Sequence, residues 1–191
     1  MESYKSYIVT VPDAPVIIDT VKVLNNHGVW FVTVTSASGD VGICKANFRL
    51  PDVLSLFTLR VAPFFIGKDA RSIESMVDQI YLWHTNYKYD SMPFWCGVGH
   101  IEMAVLDLLG KVMDQPLGYL FGGVKRNEVP VYLSSLNRNT SPEGEVEYLL
   151  ERSSETGARA GKLKIGGRMS TNADASPGWT EKVITLSRKT L

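Results

Sequence analysis

Apolar positions along this chain change period twice, and each change marks a change of element. Residues 4–11 and 16–23 are rich in Val, Ile, Tyr and Thr, with Pro12-Asp13-Ala14-Pro15 between them. This predicts two strands, or one bent strand interrupted by prolines. Asn25-Asn26-His27-Gly28 is turn chemistry. Val29 to Thr35 then alternates, Trp30, Val32 and Val34 facing one way and Phe31, Thr33 and Thr35 the other. Ser38-Gly39-Asp40 turns the chain back into Val41 to Ala46, so the short connection predicts a hairpin in an antiparallel sheet. From Pro51 the spacing becomes helical. Pro51 opens a segment with Val53, Leu54, Leu56 and Phe57, which Pro63 and Gly67 end. After Ser72, Ile73, Met76, Val77, Ile80 and Tyr81 fall on one helix face. A further helix carries Val98, Ile101, Val105, Leu108 and Val112 on one stripe, with Asp107 and Lys111 spaced as a surface pair. Pro116 stops it, and Gly122-Gly123 closes a short apolar turn made by Leu117, Leu120 and Phe121. An antiparallel sheet followed by helices is an α+β arrangement.

Beyond Lys125-Arg126-Asn127 the order changes. Val129 to Leu133 predicts a strand, and Ser141-Pro142-Glu143 predicts a helix cap with proline at the first position and an acid in the first turn. That helix runs to about Thr156, and Gly157 ends it. A second strand follows. Ser176-Pro177 repeats the cap 35 residues after the first, and Val183, Ile184 and Leu186 carry a second helix. Strand, helix, strand, helix at this period predicts parallel βα units, whose strands are buried on both sides.

The second strand is Arg159-Ala160-Gly161-Lys162-Leu163-Lys164-Ile165-Gly166-Gly167. Alternation puts Lys162 and Lys164 on one face and Leu163 and Ile165 on the other. Neighbouring ammonium groups repel, and burial adds to the pressure against the charged form, so such a lysine can act as a base near neutral pH. The paired glycines let the chain leave the strand sharply, with room for a ligand against the backbone. The same spacing also suits an exposed edge strand whose lysines deter aggregation.

Composition narrows the function classes. The chain has 191 residues, 45% hydrophobic and 21% charged, which places it among soluble globular proteins. Its 20 basic residues balance its 20 acidic ones without a block of one sign, which argues against nucleic acid or an anionic membrane as partner. No apolar run approaches the length of a membrane span, and Met1-Glu2-Ser3-Tyr4-Lys5 lacks the core of a signal peptide. Cys44 and Cys96 have no metal-site spacing and read as reduced, half-buried thiols. The expected compartment is the cytoplasm.

The stretch from Gly99 to Lys111 (GHIEMAVLDLLGK), followed by Gln115-Pro116-Leu117 and Leu120-Phe121-Gly122-Gly123, resembles the end of the capping domain of the enolase superfamily. The branch is that of mandelate racemase and muconate lactonizing enzyme. Lys162-Leu163-Lys164 is similar to that branch's Lys-x-Lys motif on the second barrel strand. Gly167-Arg168-Met169-Ser170 with Asn172-Ala173-Asp174 looks like members grouped with acid-sugar dehydratases and epimerases. The resemblance covers the whole chain in the expected order.

The resemblance implies an α+β capping domain over residues 1–125 and the first two βα units of a truncated TIM-like (β/α) barrel over residues 126–191. It implies removal of the proton next to a carboxylate, with Mg²⁺ stabilising the enediolate. Lys164 matches the general base. Lys162 matches the neighbour that contacts the substrate carboxylate and depresses the base's pKa. The implied substrate is a small hydroxy-carboxylate, an acid sugar, and the implied reaction is dehydration, with racemisation or epimerisation as the alternative. Such a barrel takes about 250 residues, whereas Val129 to Leu191 is 63. The family's metal carboxylates lie on the third, fourth and fifth strands, and Asp174 and Glu181 do not match them. The expectation is therefore the N-terminal part of a longer enzyme, inactive alone, with no metal ligand of its own. The Mg²⁺ would belong to the full-length parent. The rival is a short non-catalytic capping or oligomerisation module, and a homo-oligomer is allowed in either case.

Other candidates have bland readings beside the functional one. His27 sits in a loop of the region that selects substrate in the family, or is a solvent-exposed turn residue. Phe48 and Arg49 lie near the family's second specificity loop, and Arg49 is equally a surface arginine. His84 and His100 read as packing or surface residues on helices, and Glu102 and Asp107 as structural. Gly166-Gly167 has no Walker or dinucleotide spacing around it.

Overall fold

The computed structural model describes residues 6–135, 137, 139–168 and 172–190. The chain divides into two compact units between Lys125 and Arg126. Tyr4 and Lys5 of the first apolar run, and Met169 and Ser170 after the lysine stretch, lie outside the described residues.

In the first unit, strands β1 (Ile18–Asn26), β2 (Val29–Ser36) and β3 (Val41–Lys45) form an antiparallel sheet in that order. The first turn is His27-Gly28, with φ of +49° and +84°. Two positive φ values are what a two-residue turn between right-twisted strands demands. The second turn is held by Asp40, whose Oδ2 accepts from the Ser38 hydroxyl at 2.7 Å. Register sets the faces. Val21, Val34 and Gly42 form one row across the sheet, and Val23, Val32 and Cys44 the next. These rows face the core, where Val32 and Val34 are fully buried.

The first apolar run does not become a strand in its described part, residues 6–11. Pro12 and Pro15 remove ladder donors, and this segment is tied down by other means. Val9 N–H donates to the Leu120 carbonyl at 2.8 Å, and Tyr7 N–H to Glu74 Oε1 at 2.8 Å. The Tyr7 hydroxyl donates to Glu102, and burial together with that carboxylate raises the phenol's pKa.

The helical half of this unit opens as predicted near Pro51, with a 3-10 turn over Leu50–Val53. Pro63 does not end the segment. An α-turn (Leu54–Leu56), a π-turn (Phe57–Val61) and a second α-turn (Ala62–Phe65) carry it through, and Gly67 follows with φ +79°. The wider turn before Pro63 relieves the clash a proline makes with the carbonyl four residues back. Helix α1 (Ile73–Ile80) buries Ile73, Met76 and Ile80. His84 does not sit on a regular helix. It and Thr85 have φ of +47° and +64°, and buried Asn86 holds this kink by donating to the Ile80 and Arg60 carbonyls at 3.0 and 3.1 Å.

Helix α2 (Met92–Val112) is the core of the unit. Phe94, Val98, Ile101, Ala104, Val105, Leu108 and Leu109 are buried, whereas Val112, expected on the stripe, is 36% exposed. By length and composition α2 could cross a membrane, contrary to the expectation that no run is long enough. Its apolar face is spent on β2, β3 and the shorter helices. His100 on α2 is a packing residue: its Nε2 accepts from Asn47 N–H at 2.9 Å, and burial lowers its pKa. Cys44 is buried, Cys96 half-buried, and both are free thiols. Helix α3 (Leu117–Leu120) follows Pro116, and Gly122 and Gly123 both have positive φ.

Among the described glycines of this unit, Gly42 is the most tightly enclosed. A Cβ there would lie 2.0 Å from the Ala104 carbonyl oxygen and 2.6 Å from the Leu108 nitrogen. Gly99 on α2, by contrast, has open space where a Cβ would be. Gly42→Ala should therefore destabilise the first unit by about 3 kcal/mol through overpacking. Gly99→Ala should be neutral or stabilising by up to about 1 kcal/mol, the helix-propensity gain. Urea unfolding followed by tryptophan fluorescence measures both, and equal effects would contradict this account of the α2–β3 contact.

Candidate active site

The second unit begins with a short parallel pair, β4 (Leu133–Ser134) and β5 (Gly161–Lys162), in register Leu133 with Gly161 and Ser134 with Lys162. Residues 129–132, expected as most of the first strand, precede the ladder; Val129, Val131 and Tyr132 are all more than half exposed. Helix α4 (Pro142–Thr156) connects the pair. Its N-cap is the predicted one: Ser141 Oγ accepts from Gly144 N–H at 3.1 Å, and Pro142 takes the first position. Its C-cap is Gly157 at φ +70°.

Lys162 and Leu163 leave β5 on opposite sides. Lys162 is exposed, with Nζ 5.3 Å from the centroid of the Tyr132 ring. Leu163 packs on the small core of Val146, Trp179 and Val183, with Ala175 and Leu186. Lys164 follows the two-residue strand and is half-buried, and Ile165 is 52% exposed. Gly166 then turns the chain at φ +69°.

The segment after the lysines is fastened back to helix α5 (Trp179–Thr190). Gly166 N–H donates to Thr180 Oγ1 at 2.9 Å, and Gly167 N–H to the Ala173 carbonyl at 2.5 Å. Asp174 is the hub. Its Oδ1 accepts from the Thr180 hydroxyl at 2.6 Å and from Ala175 N–H at 2.8 Å, and its Oδ2 from Thr180 N–H at 3.0 Å. The Thr180 hydroxyl and backbone hold the Asp174 carboxyl below the usual carboxylate range. So the side chain that caps α5 is Asp174 and not Ser176, although Ser176 contributes its carbonyl to Trp179 N–H at 3.0 Å. Glu181 is exposed in the first turn of α5.

One buried group escaped sequence reasoning. Glu145 in the first turn of α4 is 1% exposed and accepts hydrogen bonds from the Ser135 hydroxyl and, at 2.8 Å, from the Thr140 hydroxyl. An acid at that position ordinarily reads as a surface residue facing the helix dipole. Only the hydroxyls upstream, at Ser135 and Thr140, hint at its burial.

The remaining candidates lie in the first unit. His27 is exposed in its turn. Phe48 is 71% exposed, with the Arg49 guanidinium 4.3 Å from its ring centroid. Arg49 also lines a pocket of about 220 Å³ with Asn47, Asp52, Val53, Met92 and Cys96. Glu102 accepts from the Tyr7 hydroxyl rather than pairing with a basic group, and Asp107 makes the expected pair. Asp107 pairs with Lys111 at 2.7 Å and also accepts from Ile43 N–H at 2.8 Å, while Lys111 donates to the Val41 carbonyl at 3.0 Å. Among the described residues, no three or more His, Cys, Asp or Glu side chains cluster so as to hold a metal ion.

Comparison with known proteins bears on this arrangement. No family model matches the chain. A D-galactonate dehydratase family member from Enterococcus gallinarum is 28% identical over 162 residues, 79% of this chain and 38% of the relative. The crystal structure of a candidate racemase from Roseobacter denitrificans superposes with a TM-score of 0.81 at 26% identity, covering 92% of this chain and 47% of that one. A mandelate racemase/muconate lactonizing protein from Paracoccus denitrificans, solved with magnesium, shares the fold at a TM-score of 0.64 and 23% identity, over 76% of this chain and 41% of that one. The chain thus spans less than half the length of each of these proteins. In sequence it is similar to a D-galactonate dehydratase family member, and its fold is that of mandelate racemase/muconate lactonizing proteins, the branch its residues resemble.

Asp174 generates a pH prediction. Its folded pKa is depressed, so its contribution is complete above the unfolded value of about 3.9 and is lost as pH falls through the folded value. The Thr180 amide should therefore lose exchange protection in acid. Asp174→Asn should remove that acid dependence and weaken protection at pH 7. Hydrogen exchange by NMR reads both, and an unchanged acid profile in the variant would refute the assignment.

Proposed function

We propose that this chain supplies the capping domain, residues 1–125, and the first two βα units, residues 126–191, of a cytoplasmic enzyme that removes the proton next to the carboxylate of an acid sugar. The observation that carries the reading is a Lys-x-Lys sequence at the exit of the second of two parallel strands, in a chain whose order matches the superfamily throughout. Catalytic groups in barrels of this type stand at the carboxyl ends of the strands, which is where Lys162 and Lys164 lie. Lys164 is the general base: its neutral amine takes the α-proton. Lys162, as the ammonium, holds the substrate carboxylate. Loss of the β-hydroxyl as water completes a dehydration. The relative named as a D-galactonate dehydratase family member supports that outcome. The Roseobacter neighbour supports a second reading, reprotonation at the same carbon to give a racemase or epimerase.

Mg²⁺, with which the Paracoccus protein was solved, does not fit the residues described here, since they present no cluster of ligands. The steps assigned to this chain run through its own amines. The remaining barrel strands of a longer protein would bring the metal carboxylates.

With those strands supplied and Mg²⁺ present, incubation with a panel of sugar acids in D₂O should incorporate deuterium at the α-carbon. Lys164→Met should slow that exchange by roughly 10²- to 10⁴-fold, the usual contribution of a general base. Lys162→Met should raise KM for the sugar acid as well as lowering the rate. Undiminished exchange in Lys164→Met would rule out its assignment as the base.

A further inference from the structure

The lysine strand is very short. Its ladder to β4 covers two residue pairs, flanked by Leu133 N–H to the Ala160 carbonyl and Ser135 N–H to the Lys162 carbonyl, both 2.9 Å. A slip of one residue in such a pair exchanges the two faces of the strand. Lys162 would turn away from Tyr132 and into the small apolar core, and Leu163 would turn out. So short a ladder does not specify its register strongly, and something outside it must.

The side chain placed to do this is Glu145. Ser135, which donates its backbone N–H to Lys162, is itself 1% exposed and gives its hydroxyl to Glu145. The other Glu145 oxygen takes the Thr140 hydroxyl, and the Thr140 carbonyl takes the Trp179 indole N–H at 2.7 Å. Trp179 is packed in the same core as Leu163. The buried carboxylate therefore joins the exit of β4, the start of α4 and the start of α5. Both ends of that chain of bonds come back to β5: one through Ser135 to the Lys162 backbone, the other through Trp179 to the core that holds Leu163. Breaking one arm would leave a buried acceptor or hydroxyl unsatisfied, which is costly.

We propose that Glu145 is a positioning residue that sets the register of the lysine strand, and so fixes the side on which Lys162 and Lys164 emerge. The consequence for catalysis rests on reading those lysines as the reacting amines. The geometric claim does not.

The test uses the 191-residue chain with isotope labels. Two readouts report register: the ring-current shift of the Lys162 ε-protons caused by Tyr132, and the exchange rate of the Ser135 amide. Tyr132→Leu identifies the ring-current contribution. Glu145→Ala should abolish that shift and speed Ser135 exchange by tenfold or more relative to the mean of the second unit. Glu145→Gln, which keeps the size but replaces one acceptor oxygen by a donor, should fall between. Gly157→Ala strains the same helix at its other end and should leave the Lys162 shift in place and Ser135 exchange at the mean of the unit. If Glu145→Ala does not fold, Thr140→Val removes one arm and is read in the same way. A Lys162 shift and a Ser135 rate in Glu145→Ala equal to those of Gly157→Ala would overturn the proposal. Full activity in Lys164→Met would instead sink the reading of the lysines while leaving both register readouts intact.

Discussion

Helix α2 approaches β3 until backbone meets backbone, and the rest of the first unit is arranged around that contact. Only a residue without a side chain fits at position 42, because the Ala104 carbonyl and the Leu108 amide occupy the space where a Cβ would be. The same helix supplies Asp107 and Lys111, which take an N–H and a carbonyl from the outward side of β3. An unpaired strand edge is a liability for association, and here a helix closes part of it from the side. With α2 fixed in this way, Val32 and Val34 meet Ala104, Val105 and Leu108 in one core, which the shorter helices and the residue 6–11 segment then cover. The spacing of Asp107 and Lys111 promised only a surface ion pair, worth little in water. Their value lies in the backbone groups they satisfy.

The second unit is held differently. Its apolar cluster is small, Val146, Trp179 and Val183 with a few partners, and its strands are two residues long. Directional bonds do much of the work: Ser141 at one helix start, Asp174 at the next, and Glu145 with its hydroxyls between them. Hydrogen bonds specify geometry more sharply than they add stability. A unit built this way sets the direction of a few side chains well while remaining weakly closed, and parallel strands of this kind are ordinarily covered on both faces. On the proposed reading that suits a site whose walls come from elsewhere in the fold.

Much of this was legible in the residues. The hairpins follow from His27-Gly28 and Ser38-Gly39-Asp40, the helix faces from Ile73 to Ile80 and Val98 to Leu108, and the α4 caps from Ser141, Pro142 and Gly157. What escaped was set by partners distant in sequence. Pro63 reads as a stop because the π-turn that accommodates it has no signature of its own. His84 reads as helical because the kink is held by Asn86 bonding to Ile80 and Arg60. Residues 6–11 read as a strand by composition, but their partners are Glu74, Glu102 and Leu120. Alternation put Lys162 with Lys164 and Leu163 with Ile165, but the ladder ends at Lys162, and beyond it Lys164 is half-buried and Ile165 is exposed.

That early end bears on what a lysine pair needs in order to act as acid and base. Two factors lower the affinity of an amine for its proton: a like charge nearby and removal from water. The second depends on what covers the strands, and here Lys162 stands exposed beside Tyr132 while Lys164 is half-buried. The proposed division of labour follows from this. On that reading the chain would set where the two amines stand, through Gly166, Asp174 and Glu145, and strands added by a longer protein would set how dry they are. Aim and desolvation are nonetheless coupled at Lys162, because a slip that turned it from Tyr132 toward the core of Val146, Trp179 and Val183 would also take it out of water.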